Sequence, residues 1–275
     1  MLNIIVPVYN RANTTLDFIR TVRKQTVEDW KLFIIDDGCT DDTLDRISNI
    51  NDNRIKVIST PGNLWWGGSL HFAYLNIIDL IVGSDVVLII NDDVYFEESY
   101  FRIGLDLLEN NPNSMVISSC YNLDNREIVD KGVCYNEIIS KITPNLSESQ
   151  PINCSSTRGL FLTAHDFIES GGFRPNFLPH YLSDYEYTIR LVRNGLKLKV
   201  YDSLRIYSDQ TQTGVHQLPS ILQPKDFFEE ITSYRCSLNY NHWMSFINLT
   251  SRNLYCKVLS KVFYHLVIIK KLFKL

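Results

Sequence analysis

Val86-Val87-Leu88-Ile89-Ile90, running straight into Asn91-Asp92-Asp93, is the stretch that decides the fold. A consecutive apolar run rich in valine and isoleucine reads as a strand covered on both faces, the environment of a parallel sheet. Two carboxylates at its carboxyl end stand where open α/β sheets bind ligands, in the crevice beyond the strand tips. Adjacent carboxylates repel, so keeping both ionised calls for a cation or a donor-rich ligand. Hard oxygen ligands of this kind suit Mg²⁺ or Mn²⁺, bound together with substrate phosphates. Taken alone, Asn-Asp-Asp also reads as a polar turn, so the neighbouring segments have to decide.

Outward from this strand, strand and helix patterns alternate. Strands are expected over residues 3–8, 31–35, 54–59, 86–90 and 115–119, and helices over 13–25, 43–50, 68–82 and 97–109. Leu16, Ile19 and Val22 give the first helix its apolar face, and Asn110-Asn111-Pro112 stops the last one. This alternation predicts an α/β fold with a mostly parallel central sheet and helices on both faces. Beyond Cys120 the pattern loosens. Residues 122–150 are polar, with hairpin strands expected at 133–135 and 138–142; 157–163 returns to strand character. A helix follows over 183–194, closed by Gly195 at its C′ position, and then a late strand over 197–201.

The charge is unevenly distributed. The chain of 275 residues carries −4 in all. Every ionisable residue after Glu230 except histidine, cysteine and tyrosine is basic: Arg235, Arg252, Lys257, Lys261, Lys270, Lys271 and Lys274, +7 together, so residues 1–230 carry −11. An acidic body argues against nucleic acid as a partner, whereas a basic C-terminus points to an anionic membrane surface. Over about residues 252–275, Val258, Leu259, Val262, Leu266, Ile269 and Phe273 fall within one arc of ~100° at helical spacing, with the lysines outside it. Such a helix either lies in the membrane interface or packs its stripe on the domain. No apolar stretch reaches the ~20 residues of a membrane span. Cys39, Cys120, Cys134, Cys154, Cys236 and Cys256 are scattered, with no pairing that suits zinc or a disulfide framework, so free thiols are expected. A first strand starting at residue 2 or 3 leaves no room for a signal peptide; a cytoplasmic chain is expected, and the sequons at Asn13, Asn145 and Asn248 carry no meaning there.

Two further segments close strands on the same sheet edge: Val6-Pro7-Val8-Tyr9-Asn10 and Ile35-Asp36-Asp37-Gly38-Cys39-Thr40-Asp41. A parallel sheet then crowds Asp36, Asp37, Asp92 and Asp93 into one crevice, an arrangement from which a fold alone gains nothing. Val-Pro-Val-Tyr-Asn, Asp-Asp-Gly-x-Thr-Asp and the strand-borne Asp pair, in this order, resemble family 2 glycosyltransferases of the glycosyltransferase A fold. The resemblance covers residues 1 to about 205, and implies a catalytic domain there with a nucleotide-sugar-binding half (1–120) and an acceptor half (121–205), followed by an extension over 206–275.

The family pattern implies a nucleotide-sugar donor (UDP-, dTDP- or GDP-linked) and a Mg²⁺ or Mn²⁺ ion. Pro7 and Tyr9 would flank the base, Asp37 would accept from its ring nitrogen, Asp92 would contact the ribose, and Asp93 would hold the metal. Asn91 stands where the family motif often begins with Asp. Leu182-Ser183-Asp184-Tyr185-Glu186 resembles the family's acceptor-side segment, with Asp184 as the catalytic base and Ser183 where Glu is usual; a helix N-terminus would hold this carboxylate ionised. Thr157-Arg158-Gly159 resembles the strand that lines donor sugar and acceptor: Arg158 would offset diphosphate charge, and Gly159 would admit close approach. Trp65 and Trp66, flanked by glycines, would either stack on a sugar or base or plug the cleft. His216 is a candidate third metal ligand.

The resulting expectation is an inverting, metal-dependent transfer of a hexosyl or deoxyhexosyl unit to a saccharide or lipid-linked saccharide, similar to bacterial surface-polysaccharide enzymes of rhamnosyl or galactosyl type. A sugar nucleotidyltransferase would need a glycine-rich phosphate loop, which Tyr9-Asn10-Arg11-Ala12-Asn13 lacks. An inactive glycosyltransferase-like partner subunit would not need Asp37, Asp93 and Asp184 together.

Overall fold

The computed structural model describes residues 1–145, 152–209 and 224–273. Its first half is β1 (Leu2–Val8), α1 (Ala12–Arg23), β2 (Trp30–Asp36), α2 (Thr43–Ser48), β3 (Ile55–Ser59), α3 (Trp65–Ile77), β4 (Val86–Ile89), β5 (Val94–Tyr95) and α4 (Tyr100–Glu109). The second half continues with β6 (Ser114–Asn122), β7 (Ile128–Asp130), β8 (Val133–Asn136), β9 (Lys141–Pro144), β10 (Leu160–Thr163), α5 (Ala164–Glu169), α6 (Ser183–Arg193) and β11 (Lys197–Ser208). The C-terminal extension supplies α7 (Pro224–Thr232), α8 (Tyr240–Thr250) and α9 (Leu254–Phe273).

Among the described residues the central sheet has nine strands, in the order β3-β2-β1-β4-β10-β6-β11-β5, with β7 beside β6. β3, β2, β1 and β4 run parallel, as do β6 and β11. β10 is inserted antiparallel to both β4 and β6, a single reversed strand between neighbours that run the same way. Side-chain alternation explains the apolar runs. Leu88 and Ile90 enter one core layer with Ile4, Val6, Phe18 and Phe101, while Val87 and Ile89 enter the other with Ile5, Leu70, Phe167 and Tyr187. A strand with core on both faces has no solvent side to fill with polar residues.

Several boundaries differ from the sequence reading, each for a local reason. α3 starts at Trp65, three residues before the expected Gly68, so Trp66 is helical while Trp65, at φ 62°, stands where loop and helix join. The late strand runs on to Ser208, with a register shift between Tyr201 and Arg205. α5 and α8 are short helices without a long apolar period. Each is marked by its cap: Thr163 Oγ1 accepts from Asp166 N at 3.0 Å, and Asn239 Oδ1 from His242 N at 2.9 Å.

The extension is part of the folded body. Phe246 of α8 is fully buried in a third cluster with Val133, Tyr135, Leu178, Leu182 and Ile189, which joins hairpin β8–β9 to α6. α9 packs through an inner face: Tyr264 donates to Leu238 O at 2.9 Å, and the Ser260 and Ser140 hydroxyls meet at 2.8 Å. Its other face stays in solvent. Val258, Val262, Leu266, Ile269 and Phe273 are all about half-exposed or more. The arc read from the sequence is therefore not the packed face; only Leu259 of that set is partly covered. Phe263, Val267 and Ile268, which interrupt the polar side of the wheel, are partly buried.

Truncating Phe246 to alanine should remove ~3–5 kcal/mol of stability through lost burial and a residual cavity. Urea unfolding followed by circular dichroism checks this; a loss under 1 kcal/mol would mean that the extension is loosely appended.

Candidate functional site

The tips of β1, β2 and β4 open into a cavity of about 450 Å³ lined by Pro7, Tyr9, Arg11, Asp37, Asn63, Trp65, Trp66, Asn91, Asp92, His180 and Arg235, among others. Pro7, Tyr9, Asp37 and Asp92 were all expected at such a crevice. The structure brings them together.

Each strand-tip carboxylate is held by a different set of donors. Asp36 Oδ1 accepts from Gly38 N at 3.1 Å and Cys39 N at 2.7 Å, which turns the chain out of β2. Asp37 is buried and accepts from Leu64 N (2.8 Å), Trp65 N (2.9 Å) and Thr60 Oγ1 (3.0 Å). It thus fixes the loop into α3, in which Asn63 and Trp65 take left-handed backbone conformations with φ of 58° and 62°. Non-glycine residues hold such angles only where the surroundings over-determine them, and they cluster at ligand sites. Asp92 is buried between Arg11 Nη1 at 2.7 Å and Thr15 Oγ1 at 2.8 Å. Burial pushes its carboxyl up, Arg11 opposes, and the charge of Asp93 pushes it up again.

Asp93 is 5% exposed, its Oδ2 stands 3.6 Å from Arg11 Nη1, and its Oδ1 is buried without a hydrogen-bond partner. An orphaned hard oxygen suits Mg²⁺ or Mn²⁺. Among the described residues no group of three or more His, Cys, Asp or Glu converges on a metal position. Most ligands would therefore come from water and phosphate oxygens, as is usual for Mg²⁺ with nucleotides. His216 lies outside the described residues.

Asp184 sits in the first turn of α6 but caps nothing. The N-cap is Leu182, at φ 68°, and the Asp184 Oδ1 instead accepts from Trp66 Nε1 at 2.7 Å and Thr157 Oγ1 at 2.9 Å. Burial raises its carboxyl from 3.8 to about 6, against the pull of Thr157 and Trp66. The helix terminus therefore does not hold it at an ordinary acid value, and desolvation wins. It stands one hydrogen bond behind Trp66, which lines the cavity. Gly67 makes that placement fit: a Cβ there would come within 2.7 Å of Leu178 O and 2.8 Å of Ser183 Cβ. The small Ser183, where the family pattern has Glu, is thus packed against the turn that carries Trp66.

Trp65 and Trp66 separate in role. Trp66 joins a core layer and holds Asp184, whereas Trp65 lies between His180 (ring centroids 5.2 Å) and Tyr234 (5.7 Å, stacked). The space that Gly159 leaves free is taken by the protein, since a Cβ would meet Ser118 Oγ at 2.5 Å and Tyr100 Oη at 2.8 Å. Arg158 donates to Cys120 Sγ at 3.7 Å and is drawn electrostatically to Asp93 and Asp130; it does not line the cavity.

Sequence reasoning missed Arg11, His180, Tyr234 and Arg235. Burial, with the charges of His242 and Arg235, pushes the His180 imidazole down to about 4, so it is neutral near pH 7. No local motif marks His180 or Arg235, which line the cavity from far along the chain, or Tyr234, which stacks on Trp65. Arg11 was signalled by its place directly after the first strand-tip motif.

A family model described as "Glycosyl transferase family 2" matches residues 3–162. The chain is 25% identical over 138 residues to the Escherichia coli UDP-Glc:alpha-D-GlcNAc-diphosphoundecaprenol beta-1,3-glucosyltransferase WfgD, covering 50% of this chain and 53% of that protein. It is 26% identical over 160 residues to an uncharacterized glycosyltransferase of Rickettsia conorii, covering 58% of this chain and 25% of that protein. The chain thus spans between a quarter and about half the length of these relatives. Among solved structures, a mannosyltransferase from Pyrobaculum calidifontis in complex with GDP-Man and Mn²⁺ superposes with a TM-score of 0.62 at 13% identity, covering 98% of this chain and 71% of that one. S. aureus TarS 1–349 in complex with UDP-GlcNAc gives 0.60 at 15% identity, covering 98% and 81%. These likenesses show the glycosyltransferase A fold.

The raised pKa of Asp184 has a stability consequence. Between its unfolded value of 3.8 and its folded value of about 6, the folded chain binds the proton more tightly, so the contribution of Asp184 to stability falls as pH rises through that window. Asp184→Asn keeps an acceptor for Trp66 and Thr157 but carries no charge. The stability of this variant relative to wild type should rise between about pH 4 and pH 7 and stay level above. Urea midpoints across that range check this; a pH-independent difference would show that the carboxylate is not desolvated.

Proposed function

Because the chain belongs to glycosyl transferase family 2, we propose that it moves a hexosyl or deoxyhexosyl unit from a nucleotide-sugar donor to a hydroxyl of a saccharide or lipid-linked saccharide, with inversion. The observation that carries this reading is the single cavity bounded on one side by Pro7, Tyr9, Asp37 and Asp92, and on the other by Trp66 with Asp184 behind it. Residues 1–205 form the catalytic domain on this reading. The nucleoside lies over Pro7 and Tyr9 beside Asp37, and its ribose approaches Asp92. Arg158 contributes positive charge near Asp93. The neighbours' GDP-Man and UDP-GlcNAc complexes support a nucleotide-sugar donor, and the Mn²⁺ in one of them supports a divalent ion on Asp93.

The proposed chemistry follows from one carboxylate of the right basicity. Asp184, at about 6, is ionised near neutral pH yet basic enough to accept a proton from an acceptor hydroxyl as it attacks the anomeric carbon. On this reading the acceptor hydroxyl, deprotonated by Asp184, attacks the anomeric carbon directly, and a single displacement inverts the configuration. A bound divalent ion would offset the charge of the departing nucleoside diphosphate. Asp184→Asn should therefore keep donor affinity while turnover falls by ~10²-fold or more. Wild-type turnover should fall as pH drops below about 6. Calorimetry with UDP- and GDP-sugars, beside release of nucleoside diphosphate, tests both; loss of donor binding in the variant would move Asp184 to the donor site.

The exposed outer face of α9 supports a place on an anionic membrane, on the cytoplasmic side, where a lipid-linked acceptor would be presented. No helix of the described residues is long and apolar enough to cross a membrane. Lys257, Lys261, Lys270 and Lys271 flank the exposed Val258–Phe273 stripe, and each would add about 1 kcal/mol near an anionic surface. Since the inner face of α9 is packed, deletion would confound binding with folding. Val262→Glu with Leu266→Glu is the cleaner test. The double variant should keep the wild-type melting temperature and lose sedimentation with phosphatidylglycerol vesicles. Unchanged sedimentation would remove the membrane role.

A further inference from the structure

We propose that Arg11 is the resident counter-cation of the Asp92–Asp93 pair, which a divalent ion must displace, so that metal and nucleoside diphosphate bind as a coupled pair. This rests on the nucleotide-sugar reading above.

The geometry is specific. One guanidinium nitrogen, Nη1, lies 2.7 Å from Asp92 Oδ1 and 3.6 Å from Asp93 Oδ2. It thus bridges the two carboxylates, the position a cation must take to offset both. Thr15, on the first turns of α1, occupies the other Asp92 oxygen at 2.8 Å. Only Asp93 Oδ1 is left without a partner, and it is buried. A second guanidinium, Arg158, is drawn to Asp93 as well. The Arg11 guanidinium already offsets part of the pair's charge, and an ion entering beside it meets like-charge repulsion at short range.

A nucleoside diphosphate changes that balance. It brings negative charge into the cavity that Arg11 already lines. The Arg11 side chain is 31% exposed, so its stem has room to swing, and guanidinium matches phosphate oxygens as well as it matches carboxylate. Moving from the Asp pair to the diphosphate frees Asp93 for the ion and gives the guanidinium a new anion. Arg158, which reaches Cys120 and not the cavity, stays behind.

Mn²⁺ titrations read by electron paramagnetic resonance test this without any turnover. Wild-type protein should hold Mn²⁺ weakly alone and ~10-fold or more tightly with UDP or GDP present, a coupling within the usual range for linked sites. Arg11→Gln should tighten Mn²⁺ alone by a similar factor and shrink the coupling, whereas Arg11→Lys, which keeps the charge, should stay near wild type. Arg11→Met, with a comparable apolar stem, serves should the Gln variant not fold. A folded neutral variant that binds Mn²⁺ no more tightly than wild type would falsify the proposal and leave Arg11 a structural ion pair. If wild type binds neither nucleotide in the presence of Mn²⁺, the donor reading fails instead, while the comparison of Mn²⁺ alone still judges Arg11.

Discussion

Four carboxylates at one edge of a sheet are the constraint that organises this molecule. Asp36, Asp37, Asp92 and Asp93 are all more than nine-tenths buried, and burial without compensation would push each toward its neutral form. The chain answers with distinct local structures. Backbone N–H groups of the turn after β2 serve Asp36, those of the loop into α3 serve Asp37, and Arg11 with Thr15 serves Asp92. The loops that a ligand meets are thus shaped by the need to satisfy the carboxylates beneath them. Left-handed Asn63 and Trp65 belong to the loop that Asp37 fixes.

The two halves of the site meet through the start of α3. Gly67 lets this helix approach the Leu178–Ser183 segment, and Gly67 N donates to Pro179 O at 2.8 Å. That contact sets Trp66, and Trp66 Nε1 sets the Asp184 carboxylate. Trp66, together with Thr157, therefore fixes the position of the Asp184 carboxylate, and both hydrogen bonds oppose the burial that raises it. A change at Gly67 would reach Asp184 without touching it.

Much of this arrangement was legible in the sequence because it is local. A strand buried on both faces shows as an unbroken apolar run, so β1, β2 and β4 and the clustering of their tips followed from Leu2–Val8, Trp30–Asp36 and Val86–Ile89 alone. What depends on tertiary contact was not legible. β10 is a short strand whose antiparallel insertion is decided by pairing with β4 and β6, not by its own residues. The direction of the Asp184 shift was misread because an N-terminal helix position suggested stabilised charge, while the burial that dominates comes from distant residues. His180 and Arg235 reach the cavity, and Tyr234 reaches Trp65, only through the fold. The helical wheel of α9 found a real stripe but could not say which side faces the protein, since both sides carry apolar residues.

That last ambiguity has a structural resolution that connects the extension to the site. Tyr234 and Arg235 sit on a turn pinned at several points: Asn239 Nδ2 donates to Thr232 O and Ser233 O, Trp243 Nε1 to Ser237 O, and the Tyr264 hydroxyl to Leu238 O. The inner face of α9 is therefore committed to holding a wall of the cavity. Its small and aromatic residues, Cys256, Ser260 and Tyr264, are those that permit close packing and a directed hydrogen bond. Val258, Val262, Leu266 and Ile269 are left outside, where a helix serving only as a brace would carry polar residues. Bracing and the exposed stripe thus fall on opposite faces, so a surface engaged by the stripe need not disturb the hydrogen bonds that position Tyr234 beside Trp65.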